Sequence, residues 1–485
     1  MKSIFTPIIR CMILLLVLYA MTYSVIHFSM VTEFIAIAEL IEIKTTILLF
    51  MTPIFFKYAL QLFSLPFYPM IEKLRSINSI LKRNTKVSVL IPAWNEEIGI
   101  IKTLNSVINT YYKELEIIII NDGSTDSTHQ LVSEFIQNYE SIDNNHSSAI
   151  IKYIRLPNGG KAVAINHGLK IASGEYIITL DADSVMDKDM IHNIIKRFSD
   201  ENVAAVAGNV IIGNRKKPIE LLQQLEYLHG FCFKRADSNF NSVHIIGGAA
   251  AAYRKSALVA VGGFDESIIT EDVEISTRLL AEGYKTRYAS NAVVYTEGPT
   301  DWKSLASQRL RWKFGRIQTY VKHSKLFLNP SSNYNAYLTF LILPIAIYVE
   351  LMLLLEPIIL TLFYAYTFYT NDFAPLIFMI SFTTSIILLQ ILFDSKLRFH
   401  LNLILLAPVA WLLFYAVDLV EFQALCRSGI RFVKKENLKW QTWARVGILS
   451  QSVAKNVNHS NSIISDTVMT NSVITNPAIM EGEIQ

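Results

Sequence analysis

Residues 87–97 of this 485-residue chain read VSVLIPAWNEE, an apolar run that ends in polar side chains. Two later segments repeat the arrangement, since residues 115–124 read LEIIIINDGS and residues 175–183 read EYIITLDAD. Near-continuous apolar strands that alternate with helical stretches indicate a parallel sheet covered on both faces. Ligands of such sheets bind outside the carboxyl ends of the strands. The sequence therefore predicts an α/β nucleotide-binding domain over residues 87–325.

The composition of the chain argues against a purely soluble protein. Hydrophobic residues make up 52% and charged residues 18%, against about 25% charged residues in an average soluble domain. The net charge of +3 is too small to indicate a nucleic-acid partner. The three cysteines, Cys11, Cys232 and Cys426, lie far apart, so neither a disulfide framework nor a zinc site is expected.

Long apolar runs flank the central domain and predict membrane spans. Two precede it, Ile8–Met30 and Thr45–Phe67, and each is long enough to cross a bilayer. The segment between these runs is acidic, whereas the residues on their outer sides are basic. By the positive-inside rule both ends of this hairpin face the cytoplasm, and so does the central domain.

The C-terminal runs leave two topologies open. They are Tyr337–Tyr369, Phe373–Phe393 and Leu401–Val420. Three spans keep the basic loop at residues 396–398 cytoplasmic but place the basic stretch at residues 427–439 outside, whereas four spans do the reverse. We favour three. The predicted domains are then residues 1–86 (two spans and a basic linker), 87–325 (catalytic domain), 326–425 (about three spans) and 426–485 (basic segment and disordered polar tail).

The polar residues at the third strand end indicate a cation site. Asp181 and Asp183 flank a small residue directly after an apolar strand. Such a carboxylate pair can hold a hard divalent cation that also takes diphosphate oxygens. A turn with two acids is a common alternative, but two other strands of the same domain also end in acids, which favours a site.

Three further groups of residues are candidates for ligand binding or catalysis. Asn158-Gly159-Gly160-Lys161 precedes a helical pattern, and its backbone and lysine could contact phosphate. Thr270-Glu271-Asp272 could supply a catalytic base or simply cap a helix. Gln308, Arg311 and Trp312 share one helix face, where arginine could clamp a diphosphate and tryptophan could support a sugar. An amphipathic helix at the membrane surface is the alternative for this last group.

Taken in this order, these residues resemble the inverting, membrane-embedded family-2 glycosyltransferases that act processively. The motifs that carry the resemblance run from Val87 to Trp312 and end in a Q-x-x-R-W pattern. The flanking spans are most similar to those of the bacterial poly-β-1,6-N-acetyl-D-glucosamine synthase subgroup. The resemblance implies a GT-A type domain inserted between transmembrane helices.

The resemblance also implies a role for each motif. Nucleotide-sugar binding would fall to Pro92, Ala93, Asn95, Glu96, Asp122, Lys161 and Asp181. Acceptor binding would fall to Thr270, Gln308 and Trp312. Asp272 would be the general base, with Glu271 and Arg311 as further catalytic residues. Asp183, together with Asp181, would hold Mg²⁺ or Mn²⁺.

The implied function is polymerisation of N-acetylglucosamine from UDP-N-acetylglucosamine into an exported β-linked polysaccharide. The implied location is the bacterial inner membrane, with the lipid bilayer, the UDP-sugar and the growing polysaccharide as partners and a small membrane subunit as a further candidate. Three alternatives stay open: a synthase of another β-glycan, a non-processive transferase to a polyprenyl lipid carrier, and a transporter or scaffold whose α/β domain has lost its activity. Intact Asp183 and Asp272 argue against the last.

Overall fold

The computed structural model of the chain describes residues 38–77, 85–142 and 149–436, together with residues 438 and 447. Its centre is an eight-stranded mixed sheet with the strand order β3-β2-β1-β4-β7-β6-β8-β5. The strands are β1 (Val87–Ala93), β2 (Leu115–Asp122), β3 (Ala149–Leu156), β4 (Tyr176–Thr179), β5 (Val185–Met186), β6 (Val203–Ile212), β7 (Ala251–Arg254) and β8 (Lys285–Thr296).

The first half of the sheet is parallel, as the apolar runs predict. β1 pairs in parallel with β2 and with β4, and β2 pairs in parallel with β3. In register, Ala93 at the end of β1 lies beside Asn121 near the end of β2. The polar residues after these strands therefore meet at one edge of the sheet.

The second half of the sheet contains antiparallel pairs, so the expectation of a wholly parallel sheet was wrong there. β7 runs antiparallel to both β4 and β6, and β5 runs antiparallel to β8. The chain reaches β7 through a 22-residue helix, Pro218–Asn239, and a loop, so it enters the sheet from the opposite end. β5 and β7 are short, two and four residues, and therefore offer little periodicity for a sequence-based prediction.

Helices cover both faces of the sheet because alternate strand residues point to opposite sides. Val89 and Ile91 belong to the core on one face, whereas Leu90 belongs to the core on the other. The helices before and within this domain are α1 (Ala38–Ser64), α2 (Tyr68–Ile77), α3 (Ile100–Ile108), α4 (Thr128–Ile142), α5 (Lys161–Ile171), α6 (Met190–Ile195), α7 (Pro218–Asn239), α8 (Lys255–Ala260), α9 (Glu271–Ala281) and α10 (Trp302–Lys322).

Three helices in the described part of the chain after this domain are long and apolar enough to cross a membrane. They span Leu338–Thr370, Ala374–Phe393 and Ala407–Val433, and their regular α-helical parts are α11 (Leu343–Thr370), α12 (Ala374–Phe393) and α13 (Ala410–Val433). Three such helices agree with the number that the sequence favoured. The last one begins at Ala407 and not at Leu401, because Leu401–Leu403 forms a separate 3₁₀ turn. It ends at Val433, so part of the basic stretch lies within it.

The structure describes only part of the N-terminal region in which two membrane spans are predicted. The run Thr45–Phe67 falls largely on α1, which ends at Ser64 and is followed by a short 3₁₀ turn. The span predicted at Ile8–Met30 and the polar tail of residues 451–485 lie outside the described residues.

Candidate active site

One cavity of 1230 Å³ is lined by every site residue that the sequence predicts. It opens at the carboxyl ends of β1, β2 and β4 and continues past α9 and α10 to α7 and α1. Its lining includes Pro92, Ala93, Asn95, Glu96, Asp122, Lys161, Asp181, Asp183, Thr270, Glu271, Asp272, Gln308, Arg311 and Trp312. The structure thus brings these side chains together, while the role of each stays a prediction.

The loops after β1 and β2 form one wall of this cavity and are bonded to each other. Asn95 adopts a left-handed backbone conformation with φ of 56°, which asparagine tolerates better than most residues. Its N–H donates to the Ser124 hydroxyl at 3.1 Å, and its Oδ1 accepts from the Thr125 N–H at 2.8 Å. The Glu96 N–H donates to the Thr128 hydroxyl at 2.9 Å. These bonds fix the position of both loops at the sheet edge.

Asp122 holds the glycine loop that precedes α5. Its two carboxylate oxygens accept the N–H groups of Gly159 and Gly160 at 2.8 and 2.9 Å. Gly123 allows the two loops to approach, because its φ is +72° and an added Cβ would lie 2.6 Å from the Asn158 backbone nitrogen. Asp122 is 3% exposed, so any contact with a nucleotide would be made alongside these bonds.

Lys161 lines the cavity among the carboxylates of Asp181, Glu271 and Asp272. Its Nζ is 2.6 Å from Asp181 Oδ1 and 3.2 Å from Glu271 Oε1. Burial alone would lower the pKa of Lys161, but the neighbouring carboxylates outweigh burial and raise it, so the lysine stays charged. Burial raises the pKa of Glu271, with a further contribution from the nearby charge of Asp272. The result is a fixed cation beside the predicted diphosphate position.

Asp183 faces the same space from the turn after β4. It is 8% exposed, and its Oδ1 accepts from the hydroxyls of Ser184 and Thr296 at 3.0 and 3.3 Å. Within the described residues no group of three or more His, Cys, Asp or Glu side chains could enclose a metal ion. A cation at Asp181 and Asp183 would therefore need oxygen ligands from a bound substrate or from water.

Asp272 is oriented by backbone groups. Gly248 donates its N–H to Asp272 Oδ2 at 2.9 Å, and Val273 donates to Oδ1 at 2.9 Å. The Gly248 carbonyl in turn accepts from the Thr179 hydroxyl at 3.1 Å. Asp272 therefore has a defined orientation at the N-terminal end of α9, toward the cavity. The part played by Gly248 was missed from the sequence, where it was only one residue of an apolar, glycine-containing run.

The Q-x-x-R-W motif lies on α10, and its three predicted residues line the cavity together. Gln308 and Arg311 are buried, each 7% exposed. The Arg309 guanidinium, which is not among the predicted site residues, lies 4.1 Å from the Trp312 ring centroid, a cation–π distance. Arg309 itself is fully buried and pairs with Glu226 at 2.6 Å. The indole is thus held by an ion-paired neighbour.

Helices α1 and α7 line the far end of the cavity and contribute residues that were not predicted from the sequence. Gln61 of α1 donates to Asp237 of α7 at 2.8 Å, and both residues line the cavity with Lys57. Lys234 lies 4.0 Å from the Phe231 ring centroid, and burial lowers its pKa to about 8. The available signal was the helical spacing of the polar residues along α7, which repeats every three to four positions.

An α/β sheet whose strand ends gather a D-x-D pair, a glycine loop with a lysine and an oriented acid around one cavity defines a glycosyltransferase-type nucleotide-sugar domain. The chain matches the description "Glycosyl transferase family 2" over residues 88–262 and "Glycosyl transferase family group 2" over residues 176–415. Over residues 88–415 the chain therefore belongs to the family-2 glycosyltransferases. The expected GT-A-type domain followed by helices able to span a membrane is confirmed.

Curated relatives carry a more specific name. The chain is 36% identical over 239 residues to the poly-β-1,6-N-acetyl-D-glucosamine synthase of Staphylococcus epidermidis, covering 49% of this chain and 56% of that protein. It is 35% identical over 240 residues to the synthase of the same name from Staphylococcus aureus strain COL, with the same shares. The match thus spans about half the length of these relatives.

Solved structures show a weaker similarity. A mannosyltransferase from Pyrobaculum calidifontis in complex with GDP-Man and Mn²⁺ superposes with a TM-score of 0.49 at 18% identity, covering 80% of this chain and 99% of that one. S. aureus TarS (residues 1–349) in complex with UDP-GlcNAc gives a TM-score of 0.36 at 16% identity, covering 73% and 94%.

Proposed function

We propose that this chain is a processive, inverting β-glycosyltransferase that polymerises N-acetylglucosamine from UDP-N-acetylglucosamine and passes the product across a membrane. The observation that carries the proposal is the continuity of the cavity. The same space holds the D-x-D pair, Lys161 and Asp272, and then extends to α1, which precedes the catalytic domain. The donor sugar is taken from the curated relatives, which bear the name of such a synthase.

The proposed transfer step needs a base on the acceptor side. Asp272 takes the proton from the acceptor hydroxyl as that oxygen attacks the anomeric carbon of the donor sugar. The backbone donors Gly248 and Val273 hold its carboxylate in place for this step. Because the acceptor oxygen displaces the diphosphate directly, an α-linked donor gives a β-linked product. Glu271 supports the step by pairing with Lys161.

The leaving diphosphate needs cations on the opposite side. Lys161 lies in the cavity and is kept charged by its neighbours, and Arg311 lines the same space. Both would stabilise the negative charge that develops on the diphosphate. The loops that carry Pro92, Ala93, Asn95, Glu96 and Asp122 would hold the uridine and ribose at the edge of the sheet.

The carboxylates fit a divalent cation of the Mg²⁺ or Mn²⁺ type. Asp181 and Asp183 offer hard oxygen ligands, and no third carboxylate or histidine in the described residues closes the site. Magnesium sites of this kind use one or two carboxylates plus substrate phosphates. When bound, such an ion would add charge stabilisation to the diphosphate.

The membrane helices suit export of a polar polymer. A growing glycan cannot cross lipid without a protein-lined path. Trp312 and Gln308 would hold the acceptor end near Asp272, and the polar side chains of α1 and α7 would line the next part of the path. The proposed setting is a bacterial inner membrane with the catalytic domain on the cytoplasmic side, and an accessory membrane subunit is a further proposed partner.

The experiment uses the full chain in membranes that lack other polymer synthases. Labelled UDP-N-acetylglucosamine is supplied with Mg²⁺ or Mn²⁺, and the product is sized and digested with a β-1,6-N-acetylglucosaminidase. Asp272→Asn is the inactive variant, and Glu134→Gln, which changes an exposed carboxylate on α4, is the matched control.

Long product that the glycosidase digests, made by wild type and by Glu134→Gln but not by Asp272→Asn, supports the proposal. Short label that extracts into organic solvent would show a transferase to a lipid carrier instead. Long product from Asp272→Asn at the wild-type rate would remove Asp272 from the role of base.

A further inference from the structure

Helix α10 approaches the T-E-D motif at a single glycine. A Cβ added at Gly315 would lie 2.6 Å from Thr270 Cγ2 and 2.8 Å from Thr270 Cβ, and closer still to Thr270 Oγ1. Real Cβ atoms do not make such contacts, so any other residue at position 315 would force the helix and the motif apart. Thr270 is 5% exposed and immediately precedes Glu271 and Asp272.

A second contact fixes the other end of the same interface. Glu274 of α9 is fully buried and lies 2.7 Å from Lys322 Nζ and 3.0 Å from His323 Nε2 at the end of α10. Glu274 also pairs with Arg278 at 2.7 Å. α10 is therefore held against α9 at Glu274, and at Gly315 it packs on Thr270, the residue that precedes the two acids of the motif.

The opposite side of α10 is tied to the helices that could span the membrane. Lys313 lies 2.6 Å from Glu350 of α11 and 2.8 Å from Glu421 of α13, and Arg316 lies 2.7 Å from Glu350. Since α10 cannot move away from these helices without breaking several ion pairs, the distance between Trp312 and Asp272 depends on how closely position 315 packs on Thr270.

We infer that Gly315 is a positioning residue that sets the separation between the acceptor-binding face of α10 and the base Asp272. The inference rests on the proposed function, because it assigns a purpose to the distance between the two motifs. Gly315 touches no substrate in this scheme. It acts through the backbone of α10, on which Arg311 and Trp312 lie one turn earlier and Gln308 lies two turns earlier.

The test compares Gly315→Ala with Gly429→Ala in the full chain. Gly429 also lies within a helix, α13, but an added Cβ there meets no atom within 4 Å. Two readouts are taken: binding of UMP, which depends on the loops after β1 and β2, and the rate of polymer formation. A misplacement of the acceptor by about 1 Å costs roughly 10²-fold in rate. Gly315→Ala is therefore expected to keep UMP affinity and to lose about 10²-fold in polymer formation, whereas Gly429→Ala keeps both.

A second substitution provides the rescue. Thr270→Ala removes Oγ1 and Cγ2, the two atoms that an added Cβ at position 315 would meet first. Thr270 Cβ, 2.8 Å from the added Cβ, stays in place, so relief of the overlap is partial, and Thr270→Ala alone is measured to account for any part that Thr270 itself plays at the acceptor. The double variant Gly315→Ala/Thr270→Ala is expected to form polymer faster than the two single losses combined would give. If Gly315→Ala simply disrupted the fold, UMP binding would fall together with polymer formation. Adding Thr270→Ala would then restore neither of them.

Near-wild-type polymer formation by Gly315→Ala overturns the inference, and so does a loss of UMP binding that Thr270→Ala does not restore. If the wild-type chain binds UMP but forms no polymer from any UDP-sugar, the proposed function fails and the inference with it. If wild type forms polymer and both Gly315→Ala and Gly429→Ala match it, only the inference fails.

Discussion

The backbone N–H of Gly248 lies 2.9 Å from Asp272 Oδ2, and a Cβ added at Gly248 would lie 2.8 Å from Lys161 Nζ. One glycine therefore packs against both the proposed base and the cation that faces the leaving group. Gly248, which has no side chain, thus links the residue proposed to deprotonate the acceptor with the residue proposed to stabilise the leaving diphosphate.

Gly248→Ala is expected to reduce transfer with little loss of stability. The atom that the new methyl group meets is the end of a flexible lysine, so the fold can accommodate it. However, the lysine must move away from Asp181 to do so, and misplacing a catalytic group by about 1 Å costs roughly 10²-fold. Initial rates and thermal unfolding of the purified chain measure the two effects separately.

Gly247→Ala is the matched control for this prediction. Gly247 directly precedes Gly248, has an ordinary φ of −65°, and an added Cβ there meets nothing within 4 Å. Its activity is expected to match wild type. Equal activity of Gly247→Ala and Gly248→Ala would show that Lys161 does not need its present position.

Gly123→Ala is expected to weaken donor binding. Position 123 requires a positive φ, which costs a residue with a side chain about 1–2 kcal/mol, and the added Cβ would also overlap the Asn158 backbone. The glycine loop held by Asp122 would shift, so the KM for the donor should rise and the unfolding temperature should fall.

The variant Gly262→Ala separates the cost of a positive φ from the cost of the overlap with Asn158. Gly262 has a φ of +86°, but a Cβ there meets nothing within 4 Å. This variant should show the conformational cost alone and keep the wild-type KM. If both variants leave the KM unchanged, the contact between the loops after β2 and β3 does not shape the donor site.

The parts of the site that could be predicted from the sequence are those encoded locally. β1, β2 and β4 each combine an apolar run with polar residues at its end, and Q-x-x-R-W places three side chains on one helix face within five residues. Those patterns indicated that the sheet edge, Asp181 and Asp183, and the helix face of Gln308, Arg311 and Trp312 lie at one site, without knowledge of any long-range contact.

The remainder depends on contacts between residues far apart in the chain. Gly315 meets Thr270 across 45 positions, and Gln61 of α1 meets Asp237 of α7 across 176. Neither pair has a local pattern that distinguishes it. The antiparallel β7 was missed because Ala251–Arg254 continues a glycine- and alanine-rich run, which lacks the β-branched residues found in the equally short β4.

Arg309→Met is expected to destabilise the chain more than Arg309→Lys. Arg309 is fully buried between Glu226 at 2.6 Å and Glu421 at 3.1 Å. Removing one partner of a buried ion pair costs about 3–5 kcal/mol, because the remaining charges are left uncompensated. Lysine keeps the charge but loses the guanidinium contact over the Trp312 ring, so Arg309→Lys should fold and form shorter polymer.

Lys303→Met on the exposed start of α10 is the control for a lost cation. Surface substitutions of this kind change stability by about 0.5 kcal/mol or less. Thermal unfolding and product length are measured for all three variants. Wild-type product length in Arg309→Lys would show that the guanidinium contact does not hold Trp312 for the acceptor.

His229 of α7 should make stability depend on pH on the acid side. Burial, together with the nearby charge of Lys57, lowers the pKa of His229 to about 4, and the Gln390 amide lies 3.0 Å from its Nδ1. The unfolded chain binds the proton first as pH falls, because its histidine pKa is about 6.5. Stability from this group is therefore complete above about pH 6.5 and is lost as pH falls toward 4, by about 2 kcal/mol at pH 5.

Unfolding midpoints at pH 7.5 and pH 5 in detergent measure this loss of stability. The loss should be smaller in His229→Gln than in wild type. It should be the same as in wild type in His167→Gln, which changes an exposed histidine of α5. The same acid-side loss in His229→Gln as in wild type would mean that this imidazole is not held neutral by its surroundings.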